Sequence, residues 1–129
     1  MRRVLVVDDE PDIRLIVRMA FEEWGDYEVK EAESGPVALA LLGSQKFQVV
    51  LLDVMMPDVD GLTVLQAIRS DPRLRDLPVV VLTAKVQPPD IARFRQLKAS
   101  GVIHKPFDPV TLPEEVEAIL STQSHAAPE

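Results

Sequence analysis

Three valine-rich runs of four apolar residues recur along the chain: Val4-Leu5-Val6-Val7, Val49-Val50-Leu51-Leu52 and Val79-Val80-Val81-Leu82. None alternates with polar residues. A strand with one wet face alternates, so these runs read as strands buried on both faces, the condition inside a parallel sheet covered by helices. Tyr27–Ala32 and Gly101–His104 are weaker strand candidates.

Helical patterns fill the intervals. From Pro11 to Trp24, Ile13, Ile16, Val17, Ala20, Phe21 and Trp24 fall three and four residues apart, and Gly25 supplies an end signal. Ser34 is predicted to cap a second helix with Pro36 in its first turn and Val37, Ala38, Leu41 and Leu42 inward. Asp60 is predicted to cap a third, carrying Leu62, Leu65 and Ile68 and ending before Pro72. A fourth runs from Pro88 or Pro89 to Ala99. The fifth opens on the capping-box pattern Thr111-Leu-Pro-Glu114 and buries Leu112, Val116, Ile119 and Leu120. The polar residues from Ser121 onward read as a frayed tail, so the domain is taken as 1–121 and the tail as 122–129. The order βαβαβαβαβα specifies an α/β fold, a doubly wound five-stranded parallel sheet with helices on both faces.

Composition narrows the function. A chain of 129 residues without cysteine forms one domain and offers no thiolate metal site or disulfide. Fourteen basic against 21 acidic residues leave a net charge of −7, a poor match for nucleic acid. No apolar stretch approaches the roughly 18–20 residues that span a bilayer, and the start lacks a signal-peptide pattern. The expectation is a soluble cytoplasmic domain with no nucleic-acid or membrane partner.

In doubly wound sheets, sites lie beyond the carboxyl ends of the strands. There the first run ends in Asp8-Asp9-Glu10, the middle run in Asp53, the next in Thr83-Ala84-Lys85, and the last strand in Lys105-Pro106. Like charges about 4 Å apart repel by roughly 4 kcal/mol at an effective dielectric near 20. Clustered carboxylates therefore call for a cation, and an all-oxygen set suits a hard ion such as Mg²⁺ that also holds phosphate oxygens. A Thr hydroxyl and a Lys ammonium donate to phosphoryl oxygens. A carboxylate can itself become an aspartyl phosphate, and Asp53, after the central strand, is the natural candidate.

With these anchors in place (Val-Val-Asp8-Asp9, Asp53-Val-Met-Met-Pro57-Asp-Val-Asp60-Gly61, Thr83-Ala84 and Lys105-Pro106-Phe107) the chain resembles the receiver domain of two-component response regulators, in its stand-alone, CheY-like form. The resemblance runs from about Arg2 to Leu120. It implies a flavodoxin-like (βα)5 fold with strand order 2-1-3-4-5. It implies that Asp53 accepts a phosphoryl group from a phosphohistidine on a sensor histidine kinase or histidine phosphotransfer protein. Asp8, Asp9, Asp53 and the backbone carbonyl of Met55 would hold Mg²⁺, with Mn²⁺ as a substitute. Thr83 and Lys105 would meet the phosphoryl oxygens, and the small Ala84 would leave access to them. A cis Lys105–Pro106 bond is implied too. Such a chain is a phospho-accepting signalling domain that assists only its own phosphorylation and dephosphorylation, and is not an enzyme acting on other substrates. The face of the fourth helix, fifth strand and fifth helix would switch binding of a downstream protein, from a monomer or weak dimer.

Departures from the family pattern are informative. Val102 stands where many receivers carry Tyr or Phe, so an aromatic rotamer switch there is impossible. His104 beside Lys105 is unusual. Met55 and Lys85 flank the expected phosphoryl position. Arg93, Arg95 and Lys98 against Asp90 make the fourth helix locally basic, a solvated face or a docking patch for an acidic partner. Competing readings are a phosphorylation-independent adaptor, a receiver fragment of a longer regulator or hybrid kinase, an Mg²⁺-dependent phosphatase, and a nucleotide or flavin binder. The phosphatase wants Asp-x-Asp after the first strand. The nucleotide binder wants Gly where this chain has carboxylates.

Overall fold

The computed structural model describes residues 2–56, 61–84 and 86–126, and for 123–126 only the backbone. Five strands alternate with five helices: β1 (Arg2–Val7), α1 (Pro11–Trp24), β2 (Tyr27–Ala32), α2 (Gly35–Ser44), β3 (Val49–Asp53), α3 (Gly61–Ser70), β4 (Val79–Thr83), α4 (Pro88–Gln96), β5 (Gly101–His104) and α5 (Leu112–Ala126). The sheet is parallel throughout, in the order β2-β1-β3-β4-β5. Strand order therefore reverses between β1 and β3, and the ends of those strands flank the crevice where such folds carry their sites.

The unalternating runs are buried on both faces, as their pattern required. Every residue of β3 and of β4 is buried. Successive side chains go to opposite layers. Val4, Val6, Leu51 and Leu82 pack against Val17 and Phe21 of α1 and Leu112 and Val116 of α5. Leu5, Val7, Leu52 and Val79 pack against Ala38 and Leu42 of α2 and Val64, Leu65 and Ile68 of α3. Each such side chain contributes about 1.5–3 kcal/mol of hydrophobic stabilisation. A smaller cluster joins Val54 and Val81 to Phe94 of α4, with Ile91, Ala99 and Val102 against it.

Two helix-end signals act as read. Ser34 Oγ accepts from the Val37 N–H at 3.4 Å, and Gly25 ends α1 at φ +96°. The Thr111 hydroxyl donates to Asp108 O and Glu115 Oε2 rather than forming the expected capping box, and Val37 is exposed rather than inward. The proposed Asp60 cap lies outside the described residues. α4 stops at Gln96, not Ala99. Its end is a Schellman turn: the Ala99 N–H reaches Phe94 O and the Lys98 N–H reaches Arg95 O, both at 3.0 Å. The left-handed residue in it is Lys98, at φ +64°. Gly101 opens β5, the strand expected over Gly101–His104. α5 continues to Ala126, past the Ser121 at which a frayed tail was expected, because no glycine or proline interrupts the chain there.

Two side-chain clasps lie away from the crevice, one between α5 and β1–β2 and one between α3 and the loops beside β4. Tyr27 Oη donates to Glu117 Oε2 at 2.9 Å, while Arg2 pairs with the same carboxylate and lies 4.4 Å over the Tyr27 ring. Arg69 at the end of α3 donates to the carbonyls of Lys98, Arg75 and Leu77 at 2.7–3.1 Å. The Arg69 clasp joins α3 to the turn that ends α4. Among the described residues no helix is long and apolar enough to cross a membrane.

Candidate functional site

Asp8 follows β1, Asp53 ends β3, Thr83 ends β4 and Lys105 follows β5. The parallel register brings these scattered positions to one edge. Asp53 pairs with Leu82, and Thr83 with His104. Asp8, Asp53 and Thr83 are the only buried polar or charged residues of the described core, with exposures of 0%, 4% and 1%. Burying a charge without compensation is costly, so this concentration of polar groups needs partners.

Lys105 supplies one. Its Nζ lies 2.8 Å from Asp8 Oδ2, 3.7 Å from Asp53 Oδ2 and 3.7 Å from Glu10 Oε1. The turns supply others. Asp8 Oδ1 accepts from the Glu10 N–H at 2.9 Å, and Asp53 Oδ1 accepts from the Met55 N–H at 3.0 Å. The backbone around them is fixed as well: Arg14 Nη1 donates to Asp8 O at 2.7 Å, and the Lys105 N–H to Thr83 O at 2.9 Å. The Lys105–Pro106 bond is cis.

Burial is the main force on Asp53 and pushes its carboxyl up to about 6. The Met55 N–H and the Lys105 charge pull it down, and the charges of Asp8 and Asp9 push it up. For Lys105, burial acts to lower the pKa, but the bond to Asp8 and the charges of Asp8, Asp53 and Glu10 win, holding it above its ordinary value. The pocket thus strains to keep Asp53 ionised and holds its lysine charged.

Asp8, Asp9 and Asp53 each offer a carboxylate oxygen, and these atoms all lie within 4.8 Å of one another. Three hard oxygen donors around one point, with a single ammonium against three negative charges, fit a divalent cation such as Mg²⁺. Asp9 is exposed, so that point is open to solvent on one side.

The residues singled out in the sequence meet here with two qualifications. Asp8, Asp9, Asp53 and Lys105 form one cluster. Thr83 stands at the adjacent strand end, with Ala84 exposed beyond it, and Met55 turns its side chain outward, 56% exposed. Lys85 lies outside the described residues. His104 is exposed, and Val102 packs against the α4 cluster. Three participants went unassigned in the sequence reading. Glu10 belongs to the acidic run but touches Lys105. Arg14 was not singled out, although a side chain in the first turn of a helix points back toward the preceding strand end. Gly61 brings α3 against Asp53: a β-carbon there would lie 2.3 Å from the Asp53 carbonyl oxygen.

Comparison with known proteins agrees with this arrangement. Residues 4–117 match the family model described as the response regulator receiver domain. The chain is 34% identical over 117 residues to the chemotaxis protein CheY of Pseudomonas aeruginosa, covering 91% of this chain and 94% of that one. It is 40% identical over 118 residues to the response regulator PleD of Caulobacter vibrioides, covering 91% of this chain but 26% of PleD. Among solved structures, the chemotaxis protein CheY4 of Vibrio cholerae superposes with a TM-score of 0.87 at 33% identity, covering 92% of this chain and 98% of that one.

Proposed function

This chain belongs to the response regulator receiver domains of two-component signalling, and from that premise we propose that Asp53 is its phosphoacceptor and that the transfer depends on Mg²⁺. The observation that carries the reading is the placement of Lys105 Nζ between the buried carboxylates of Asp8 and Asp53, beside a third carboxylate at an open edge.

The donor is a phosphohistidine on a sensor histidine kinase or histidine phosphotransfer protein. A lone pair on an Asp53 carboxylate oxygen forms the O–P bond as the P–N bond breaks. The electron pair goes to the imidazole nitrogen, which takes up a proton. Asp53 suits this role because it is buried at the end of β3, with Oδ1 held by the Met55 N–H and Oδ2 3.7 Å from Lys105 Nζ. Lys105 and the Thr83 hydroxyl donate to the transferred phosphoryl oxygens. Asp8, Asp9, Asp53 and the carbonyl of Met55 would hold Mg²⁺, with Mn²⁺ as a substitute. When bound, that ion supplies neutralising charge for the phosphoryl oxygens. Ala84 leaves the approach open. The domain assists only its own phosphorylation and dephosphorylation.

Phosphorylation adds nearly two negative charges at the end of β3. Thr83 moves toward them and draws the loop that leads to α4. The shift reaches α4 through packed side chains: Val54 follows Asp53, Val81 lies two residues before Thr83, and both pack against the buried Phe94. With Val102 in place of an aromatic, this cluster is the readout, and a downstream protein reads the face of α4, β5 and α5. Beryllofluoride, a mimic of an acyl phosphate, tests the reading. Fluorine NMR is expected to show a bound signal that needs Mg²⁺ and vanishes in Asp53→Asn. No bound signal in the wild-type chain would favour a phosphorylation-independent adaptor.

A further inference from the structure

Four carboxylates gather at this edge, three of them (Asp8, Asp53 and Glu10) within 4 Å of Lys105 Nζ, and the chemistry above uses only Asp8, Asp9 and Asp53. Asp8, Asp9 and Asp53 form the oxygen cluster. Glu10 stands outside it, with Oε1 3.7 Å from Lys105 Nζ and its side chain 63% exposed. The fold does not need this carboxylate. The Glu10 N–H goes to Asp8, its carbonyl accepts from the Arg14 N–H at 3.2 Å, and its side chain makes no cap bond to α1. An acidic group at the mouth of a site that receives a phosphoryl group opposes entry. It also competes for the lysine that must meet the arriving oxygens.

We propose that Glu10 is a specificity-determining residue, whose exposed carboxylate beside Lys105 discriminates against small dianionic phosphoryl donors and leaves the reaction to protein donors. The proposal rests on the receiver reading above. A docked protein offsets the repulsion with binding energy made elsewhere on its surface, and a small donor has no such contacts. With acetyl phosphate, the Asp53 O–P bond forms as the P–O bond to acetate breaks, and acetate leaves with the electron pair. With phosphoramidate, which carries less negative charge, the P–N bond breaks and the nitrogen leaves with a proton as ammonia. Glu10 therefore acts more strongly on acetyl phosphate. One unit charge about 7 Å from another, in a medium between protein surface and water, changes a rate by roughly three- to fivefold.

The test measures phosphorylation rates by intact mass, in Mg²⁺, for wild type, Glu10→Gln and Glu10→Asp with both donors. Glu10→Gln is expected to raise the acetyl phosphate rate about three- to fivefold more than the phosphoramidate rate. That difference is expected to collapse near 1 M salt, where the screening length falls to about 3 Å. Glu10→Asp is expected to keep the wild-type ratio. A merely structural role would change both rates together, so equal changes with both donors, unchanged rates, or a ratio insensitive to salt would overturn the proposal. No adduct on the wild-type chain would overturn the proposal and the receiver reading together.

Discussion

Gly61→Ala attacks the site from behind without touching a charged group. Gly61 opens α3 and lies outside the left-handed region of backbone space, so the obstacle to a side chain is room. An added β-carbon would lie 2.3 Å from Asp53 O, 2.5 Å from Val54 Cα and 3.0 Å from Asp53 C. Comfortable carbon contacts are about 3.5–4.0 Å, so α3 and the end of β3 must part by about 1 Å. These neighbours are backbone atoms and cannot rotate aside. Overpacking of this kind costs about 1–3 kcal/mol, and for a domain of this size lowers Tm by roughly 4–15 °C. The shift falls on Asp53 itself, and a misplacement near 1 Å costs a reaction about 10²-fold. Gly43→Ala is the control. Gly43 lies in α2 with nothing within 4 Å of its added β-carbon, so this change is expected to stabilise by about 0.5–1 kcal/mol. Urea denaturation followed by circular dichroism, with phosphorylation rates in Mg²⁺, reads both effects. If Gly61→Ala matched Gly43→Ala in stability and wild type in rate, the steric argument would be wrong.

Other expectations concern the buried charge and the α4 turn. The folded chain holds the Asp53 proton up to about pH 6, while the unfolded chain releases it near 3.8. Folding therefore binds a proton in that window, and the metal-free protein loses stability as pH rises through it. Asp53→Asn removes the penalty and is expected to stabilise the metal-free chain at pH 7 by up to about 3 kcal/mol, with the gain fading below pH 4 in urea titrations. Arg69→Leu strips the donors from three carbonyls and is expected to cost about 2–4 kcal/mol by the same assay. Lys98→Gly relieves a left-handed lysine and is expected to raise stability by about 1 kcal/mol.

Much of this molecule was legible because burial leaves a mark on sequence. Val49–Leu52 and Val79–Leu82 could afford no polar face, and that absence of alternation identified two strands buried on both sides. The parallel topology then placed Asp8, Asp53, Thr83 and Lys105 on one edge without any knowledge of distance. The less legible features depend on side-chain direction or on backbone states the residue type does not announce. A lysine at φ +64° ends α4 where glycine is the usual signal, so the helix stops at Gln96, three residues before the expected Ala99. Glu10 and Asp9 are neighbours of like charge, yet one joins the oxygen cluster and the other faces Lys105. Arg69 looks like an ordinary helix-end cation until its carbonyl partners, eight and 29 residues away, come into view.

The central claim is that Asp53 carries the phosphoryl group and that the acidic cluster makes its transfer cation-dependent. Intact mass after incubation with acetyl phosphate, with and without Mg²⁺ and with Asp53→Asn in parallel, tests it most directly. One added phosphoryl group on the wild-type chain, lost on chelation and lost in Asp53→Asn, is the expected result. An adduct that survives in Asp53→Asn, or that forms equally well without Mg²⁺, would contradict it.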